Sequence, residues 1–144
     1  MWLDDEFLTA KGSNTANSAH SIHAEGDATV LTITRLIVDG IPPIAKTFLG
    51  ETITLQEVQT WGELENAGIR RASVELTVKN APATVTGSIT LSPTSTGTQV
   101  VIHFDIKVAV PLFGATAETV IKAQLEKFIG AEHGIGLEWL ASHQ

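Results

Sequence analysis

Apolar and polar residues alternate along three segments in the second half of the chain. The alternation is regular in RASVELTVK (71–79), ATVTGSITLS (83–92) and QVVIHFDIKVAV (99–110). A period of two residues is typical of a strand with one buried side and one solvent-facing side. The connecting segments 80–82 and 92–97 are rich in turn-forming residues. We therefore expect three antiparallel strands joined by hairpins.

Three earlier strands are predicted from a less regular alternation, at His20–Glu25, Thr29–Val38 and Glu51–Trp61. In the second of them, Arg35 falls in step with apolar residues such as Ile33. A bulge or an edge position would explain a charged residue on that side. The sequence thus predicts a sheet of about six antiparallel strands.

Helical patterns mark both ends of the chain. LDDEFLTAK (3–11) has acidic residues in a first turn and apolar residues on one face, which favours a short helix. The polar run KGSNTANSAHS (11–21) is predicted to be a loop, and a brief helix is expected after the prolines within 39–50. The segment 111–140 predicts one long helix whose apolar stripe faces the sheet. The chain, 1–144, is therefore predicted to be one α+β domain, an antiparallel sheet packed on a long C-terminal helix.

Two polar residues, Gln124 and Glu132, interrupt the apolar stripe of the last helix, and three glycines lie within 130–136. A buried carboxylate needs a partner, and a helical glycine costs about 1 kcal/mol relative to alanine, which calls for a packing or kinking explanation. We interpret these features as signs of a cavity beside Phe128, of roughly 300–1,000 Å³. Two alternatives stay open: the two polar side chains reach solvent or the backbone, or the stripe is ordinary core. The predicted cavity-lining, ligand-binding residues are Val74, Leu76, Val85, Ile89, Ile102, Phe104, Ile106, Ile121, Gln124, Leu125, Phe128 and Glu132.

The composition of the chain limits the kinds of molecule that we expect it to bind. The chain has 144 residues, a formal net charge of −7 and no cysteine. Its scattered Lys and Arg form no basic stripe that could neutralise phosphates, so nucleic acid is not an expected partner. Disulfides and thiolate metal sites are excluded. No segment approaches the ~20 apolar residues of a membrane span, and the start does not resemble a signal peptide, so we expect a cytoplasmic protein without a membrane span.

Catalytic and metal-binding motifs are absent from the sequence. It contains no Gly-x-Ser-x-Gly, no His-Glu-x-x-His and no Gly-Lys-Ser/Thr. His20 and His23 lie three residues apart on a predicted strand, so they point to opposite faces and are poorly placed to share a metal. We therefore predict no catalytic residue, no metal site and no cofactor. General acid–base catalysis by a buried Glu132 is the enzymatic alternative.

Three segments carry a resemblance to a known family: IPPIAKTFLGETITLQEVQTW (41–61), TGSITLSPTSTGTQVVIHFDIKVAVPLFGATAE (86–118) and KFIGAEHGIGLEWLAS (127–142). They are similar to an uncharacterised actinobacterial family, domain of unknown function 2505, of the START and birch-pollen-allergen (SRPBCC) superfamily. The shared motifs are Trp61 closing the third strand, a Pro-Leu-x-Gly junction into the last helix and a Trp-Leu near the end. The resemblance implies a helix-grip fold, in which a curved sheet grips the C-terminal helix around a cavity.

The resemblance also implies that this cavity binds a hydrophobic, lipid-like or polyketide-like small molecule. A cyclase or isomerase of the same superfamily and a ligand-free interaction domain are the alternatives. Members normally begin with a strand and a helix that would precede Met1, so we expect the N-terminal strand to be missing. The cause would be either a natural short form or a start assigned to an internal methionine. One sheet edge would then be exposed, and a homodimer through that edge is expected.

Overall fold

The architecture is that of a computed structural model, which describes residues 1–12, 18–39, 41, 43–79, 81–109 and 114–144. Its helices are α1 (Asp5–Gly12), α2 (Pro43–Leu49) and α3 (Gly114–Ser142). Its strands are β1 (Ser18–Glu25), β2 (Ala28–Ile37), β3 (Ile53–Trp61), β4 (Arg70–Val78), β5 (Ala83–Pro93) and β6 (Thr98–Val108), with a 3-10 turn at Asn66–Gly68. None of the described helices is long and apolar enough to cross a membrane.

Most predicted elements are confirmed, with shifted ends. The short first helix begins after Asp4, whose carboxylate Oδ1 accepts hydrogen bonds from the backbone N–H groups of Glu6 and Phe7, as expected of an N-cap. The predicted loop at 11–21 is too long, because Lys11 still belongs to α1 and β1 starts at Ser18. The middle of that run, 13–17, and the Pro-Leu-x part of the predicted junction, 111–113, lie outside the described residues.

The six strands form one antiparallel sheet in the order β1-β2-β3-β4-β5-β6, so each strand pairs with its neighbours in sequence. Gly26 turns the chain between β1 and β2 at φ +61°, a conformation that glycine adopts without strain. β1 and β6 are the edge strands. Arg35 lies on β2, inside the sheet, and is in continuous register with Ser18 on one side and Leu55 on the other. The expectation of a bulge or an edge position at Arg35 is therefore wrong.

One face of the sheet is buried and the other faces solvent. On β4, Val74 and Leu76 are buried whereas Ser73 and Glu75 are exposed, and β5 repeats the pattern around the buried Val85. This alternation is the predicted period of two, and α3 covers the buried face. The curved open sheet and the C-terminal helix form the α+β, helix-grip arrangement expected from the sequence.

The start of the chain and α1 close one end of the molecule, beside the C-terminal half of α3. The ring of Phe7 packs edge-on against Trp139 of α3, with 6.0 Å between centroids. Trp2 lies 6.1 Å from the ring of Trp61, the last residue of β3. Aromatic side chains therefore join α1, α3 and the end of β3.

The three glycines of α3 have different surroundings. A Cβ built on Gly130 or Gly134 would meet no described atom within 4 Å, apart from the helix's own backbone. Gly136 is buried, and a Cβ there would lie 3.7 Å from Cε of Met1 and 3.9 Å from Cε2 of Phe7. The packing explanation thus applies to Gly136, whereas no described side chain packs against the other two.

Candidate functional site

In the described part of the chain, three spaces follow one another between the buried face of the sheet and α3. The first, here the apolar cavity, measures about 70 Å³ and lies against the N-terminal half of α3. From α3 it is lined by Val120, Ile121, Gln124, Leu125 and Phe128. Aliphatic side chains of α2 and of strands β2 to β5 form the opposite wall. The amide of Gln124 is the polar group that α3 presents to this space.

The second space, here the polar cavity, measures about 40 Å³ and lies further along α3. Leu125 and Phe128 are walls of both cavities and so stand between them. The polar cavity is lined by Trp2, Arg35, Leu55, Glu57, Gln59, Val74, Leu76, Ile89, Ile102, Phe104, Leu125, Phe128, Ile129 and Glu132. It therefore differs from the apolar cavity in having three charged residues in its walls.

The third space, here the groove, measures about 780 Å³. It lies between the C-terminal half of α3, the β5–β6 hairpin and the start of the chain. Trp2, Ile102, Ile129 and Glu132 are walls of both the groove and the polar cavity, so the two spaces adjoin. The walls of the groove also include large apolar side chains that are exposed to solvent: Val100 at 41%, Leu137 at 56% and Leu140 at 44%.

The structure places nearly all predicted lining residues around these spaces. Around the apolar cavity lie Leu76, Val85, Ile121, Gln124, Leu125 and Phe128; around the polar cavity lie Val74, Leu76, Ile89, Ile102, Phe104, Leu125, Phe128 and Glu132. Ile106 is in neither wall and packs half-buried against the aliphatic core. The expected volume is wrong beside Phe128, where two cavities of about 70 and 40 Å³ share Leu55, Leu76, Leu125 and Phe128 as walls.

Four charged side chains from four elements meet beside the polar cavity, and the last three of them line it: Lys11 of α1, Arg35 of β2, Glu57 of β3 and Glu132 of α3. We call them the ion network. Arg35 Nη1 donates a hydrogen bond to Glu57 Oε2 at 2.8 Å, and Arg35 Nη2 lies 3.5 Å from Glu132 Oε1. Lys11 Nζ lies 2.9 Å from the same oxygen. Two cations are thus paired with two carboxylates, which is the condition for burying charges at tolerable cost.

Gln59 and Trp61 extend the network along β3. The Gln59 side-chain amide donates to Glu57 Oε1 at 2.5 Å, and Trp61 Nε1 donates to Gln59 Oε1 at 2.9 Å. Burial raises the pKa of Glu57, but the charges of Lys11 and Arg35 and the hydrogen bonds from Gln59 and Arg35 outweigh it and hold the pKa below its ordinary value. In the described part of the chain, no group of three His, Asp or Glu side chains is placed to hold a metal ion.

The sequence shows that Glu132 needs a partner, but not which residues supply it. Arg35 is expected at a bulge or an edge and Lys11 at the junction of the predicted helix and loop, and neither Glu57 nor Gln59 is singled out. The sequence does carry a signal for Glu57 and Gln59, because they occupy alternate positions of β3 that are otherwise apolar. Polar residues on the buried face of two adjacent strands indicate that they contact each other.

Comparison with known sequences identifies the family. The sequence model of a family described as "Protein of unknown function (DUF2505)" matches residues 1–140. The chain belongs to this family. Uncharacterized proteins from Mycobacterium bovis and from two strains of Mycobacterium tuberculosis are each 24% identical to it over 121 residues, which cover 83% of this chain and 69% of theirs. No solved structure matches the chain significantly.

Proposed function

We propose that the protein binds a hydrophobic, lipid-like small molecule between the sheet and α3, with most of the ligand in the groove. The observation that carries this proposal is the groove itself, about 780 Å³ of space with largely apolar walls next to a polar cavity. Ligand pockets for small molecules commonly measure about 300–1,000 Å³ and combine apolar walls with a few polar groups. The volume and the walls both fit this description.

The exposed apolar residues support the same proposal. Val100, Leu137 and Leu140 all line the groove, and each leaves at least 41% of its surface exposed. Clustered apolar side chains at the surface commonly mark a binding site, because water contact with them is unfavourable. The resemblance to the START and birch-pollen-allergen superfamily, whose helix-grip members hold apolar molecules between sheet and helix, adds further support.

The proposal can be tested by titrating the protein with dodecanol and following its thermal unfolding. A ligand that binds only the folded form stabilises it by about 2.7 kcal/mol at a hundredfold excess over its Kd, so the unfolding temperature should rise with dodecanol concentration. Native mass spectrometry should show a single added dodecanol molecule.

Two matched variants locate the binding site. Leu137→Glu places a carboxylate in the groove wall, whereas Leu64→Glu makes the same change at a leucine that is 70% exposed and is not a wall of the three spaces. Both leucines are exposed, so neither change should unfold the protein. We expect Leu137→Glu to weaken dodecanol binding at least about tenfold, a loss of roughly 1.4 kcal/mol, and Leu64→Glu to leave it unchanged. Equal binding by both variants, or a parent that binds neither dodecanol nor a charged ligand with the same chain, would contradict the proposal and favour a ligand-free interaction domain.

A further inference from the structure

Glu132 stands where the polar cavity adjoins the groove, since it is a wall of both. Its contacts with Lys11 and Arg35 both involve Oε1, at 2.9 and 3.5 Å. The side chain of Glu132 keeps 22% of its surface exposed, whereas those of Lys11 and Arg35 keep 3% and 8%. Among the described contacts, Oε2 is left to accept a hydrogen bond from a group that enters through the groove.

The charges of the ion network are balanced before any ligand enters. Lys11 and Arg35 supply two positive charges, and Glu57 and Glu132 supply two negative charges. An ionised group brought into this largely buried site would leave one charge without a partner, which is costly away from water. A carboxylate would also approach Glu132, which has the same charge. An ammonium group would find Glu132 but would add a third cation beside Lys11 and Arg35.

We infer that the ligand is an uncharged amphiphile whose hydroxyl group enters the polar cavity and donates a hydrogen bond to Glu132, while its apolar part fills the groove. This inference rests on the proposed function and specifies the chemical class of the ligand. The polar cavity, of about 40 Å³, is large enough for a hydroxyl and its carbon, since a water molecule needs only about 10–15 Å³ measured in this way. A long-chain alcohol is the simplest compound of this class.

The test compares three probes that share one chain and differ in the head group: dodecanol, dodecanoate and dodecylammonium. Each is titrated calorimetrically into the unmodified protein at neutral pH, below the concentration at which the charged probes form micelles or dodecanol separates from solution. We expect dodecanol to bind at least about tenfold more tightly than either charged probe. This comparison needs no variant, so it does not depend on whether a substitution folds.

A substitution at Glu132 then tests the charge argument directly. Glu132→Gln leaves two cations and one carboxylate in the network, so the site carries a net positive charge. Binding of dodecanoate should become at least about tenfold tighter than in the parent, and dodecanol should lose its advantage. The matched control is Glu126→Gln, the same change at an exposed position of α3, which should leave all three affinities as they are.

The possible failures are distinguishable. If dodecanoate or dodecylammonium binds the parent as tightly as dodecanol, or if a folded Glu132→Gln variant keeps the parent's order of affinities, the assignment of the head group is wrong. The proposed function would still stand in both cases, because a ligand binds. If none of the three probes binds the parent, the proposed function itself fails.

Discussion

Replacing Arg35 by methionine would remove the cation that joins the two carboxylates of the ion network and keep an apolar side chain of similar reach. The side chains of Arg35 and Glu57 are 8% and 12% exposed, and their charged atoms lie 2.8 Å apart. Removing one partner of a buried ion pair costs about 3–5 kcal/mol, because the other charge stays buried without compensation. The charge of Lys11 also lowers the pKa of Glu57, so Glu57 keeps one favourable charge nearby in the variant. We therefore expect the free energy of unfolding to fall by about 3 kcal/mol, the lower end of that range.

The stability lost in Arg35→Met should depend on pH, and the pKa of Glu57 determines whether this loss grows or shrinks as the pH falls. Burial raises this pKa, but Lys11, Arg35 and Gln59 lower it more, so it lies below the ordinary 4.5. A carboxylate with a lowered pKa in the folded state stabilises the fold above the unfolded pKa and loses that contribution as the pH falls through the folded pKa. Arg35→Met removes one of the lowering causes and raises the pKa of Glu57. The free energies of unfolding of variant and parent should therefore converge as the pH falls below 4.5.

Urea unfolding followed by circular dichroism, at about pH 7 and about pH 4, measures both effects. A double-mutant cycle with Glu57→Gln isolates the pair, and its coupling energy should fall within about 0.5–3 kcal/mol. The control is Arg71→Met, because Arg71 pairs with Glu65 at the surface, where their side chains are 53% and 47% exposed. We expect that change to have little effect, since exposed ion pairs contribute little.

Two results would refute the reasoning. One is a cost for Arg35→Met that is no larger than the cost for Arg71→Met. The other is a double variant, Arg35→Met with Glu57→Gln, whose cost equals the sum of the single costs, because independent residues add and compensating residues do not. Either result would mean that Arg35 and Glu57 do not neutralise each other inside the fold.

Two further predictions concern glycines and a histidine. Gly130→Ala should raise the free energy of unfolding by about 0.5–1 kcal/mol, because the added Cβ has open space and alanine favours the helix. Gly87→Ala should lower the free energy of unfolding by about 1–3 kcal/mol or more, because the added Cβ would collide with the backbone of β6. Urea unfolding measures the free energies of both variants. A lower free energy of unfolding in Gly130→Ala, or an unchanged one in Gly87→Ala, would contradict the surroundings described for these two glycines. The pKa of His143 is raised above 6.5 by a hydrogen bond to the backbone carbonyl of Trp139 and by the nearby Glu6. The protonated His143 side chain therefore stabilises the fold below pH 6.5, and this contribution is lost as the pH rises through the raised pKa. Nuclear magnetic resonance titration should show this raised pKa, and Glu6→Gln should lower it; an unchanged pKa in that variant would show that the contact is unimportant.

The fold was predictable because each element depends on a local pattern. Alternation with a period of two is visible within a single strand, and the hairpins between consecutive strands need only short turns. The sheet is built entirely from such neighbours, so six local predictions were enough to give its architecture. The ends of the elements were predicted less accurately. For example, β3 begins at Ile53 rather than Glu51, because Gly50 and the next two residues form the connection after α2.

The site was only partly predictable, because its polar groups depend on contacts between distant segments. Glu132 was recognised as a carboxylate that needs a partner, but its partners Lys11 and Arg35 lie on α1 and β2, far away in sequence. A pattern shows that a polar residue interrupts a buried face, not which residue it meets. The cavity volume was likewise inaccessible, because the rotamers of Leu125 and Phe128 decide whether the space beside them stays open.

The sequential order of the strands also separates the sheet from the helix that covers it. Every ladder of backbone hydrogen bonds joins strands that are neighbours in the chain, and among the described residues no backbone hydrogen bond joins α3 to the sheet. Among the described contacts, the side chains of α3 attach it to the sheet, through the apolar core, the ion network and a hydrogen bond that the Val108 N–H donates to Glu118. A partial opening that lifts α3 therefore leaves all five ladders intact. Such an opening costs no more free energy than unfolding the whole chain, and it would expose the buried face of the sheet to solvent.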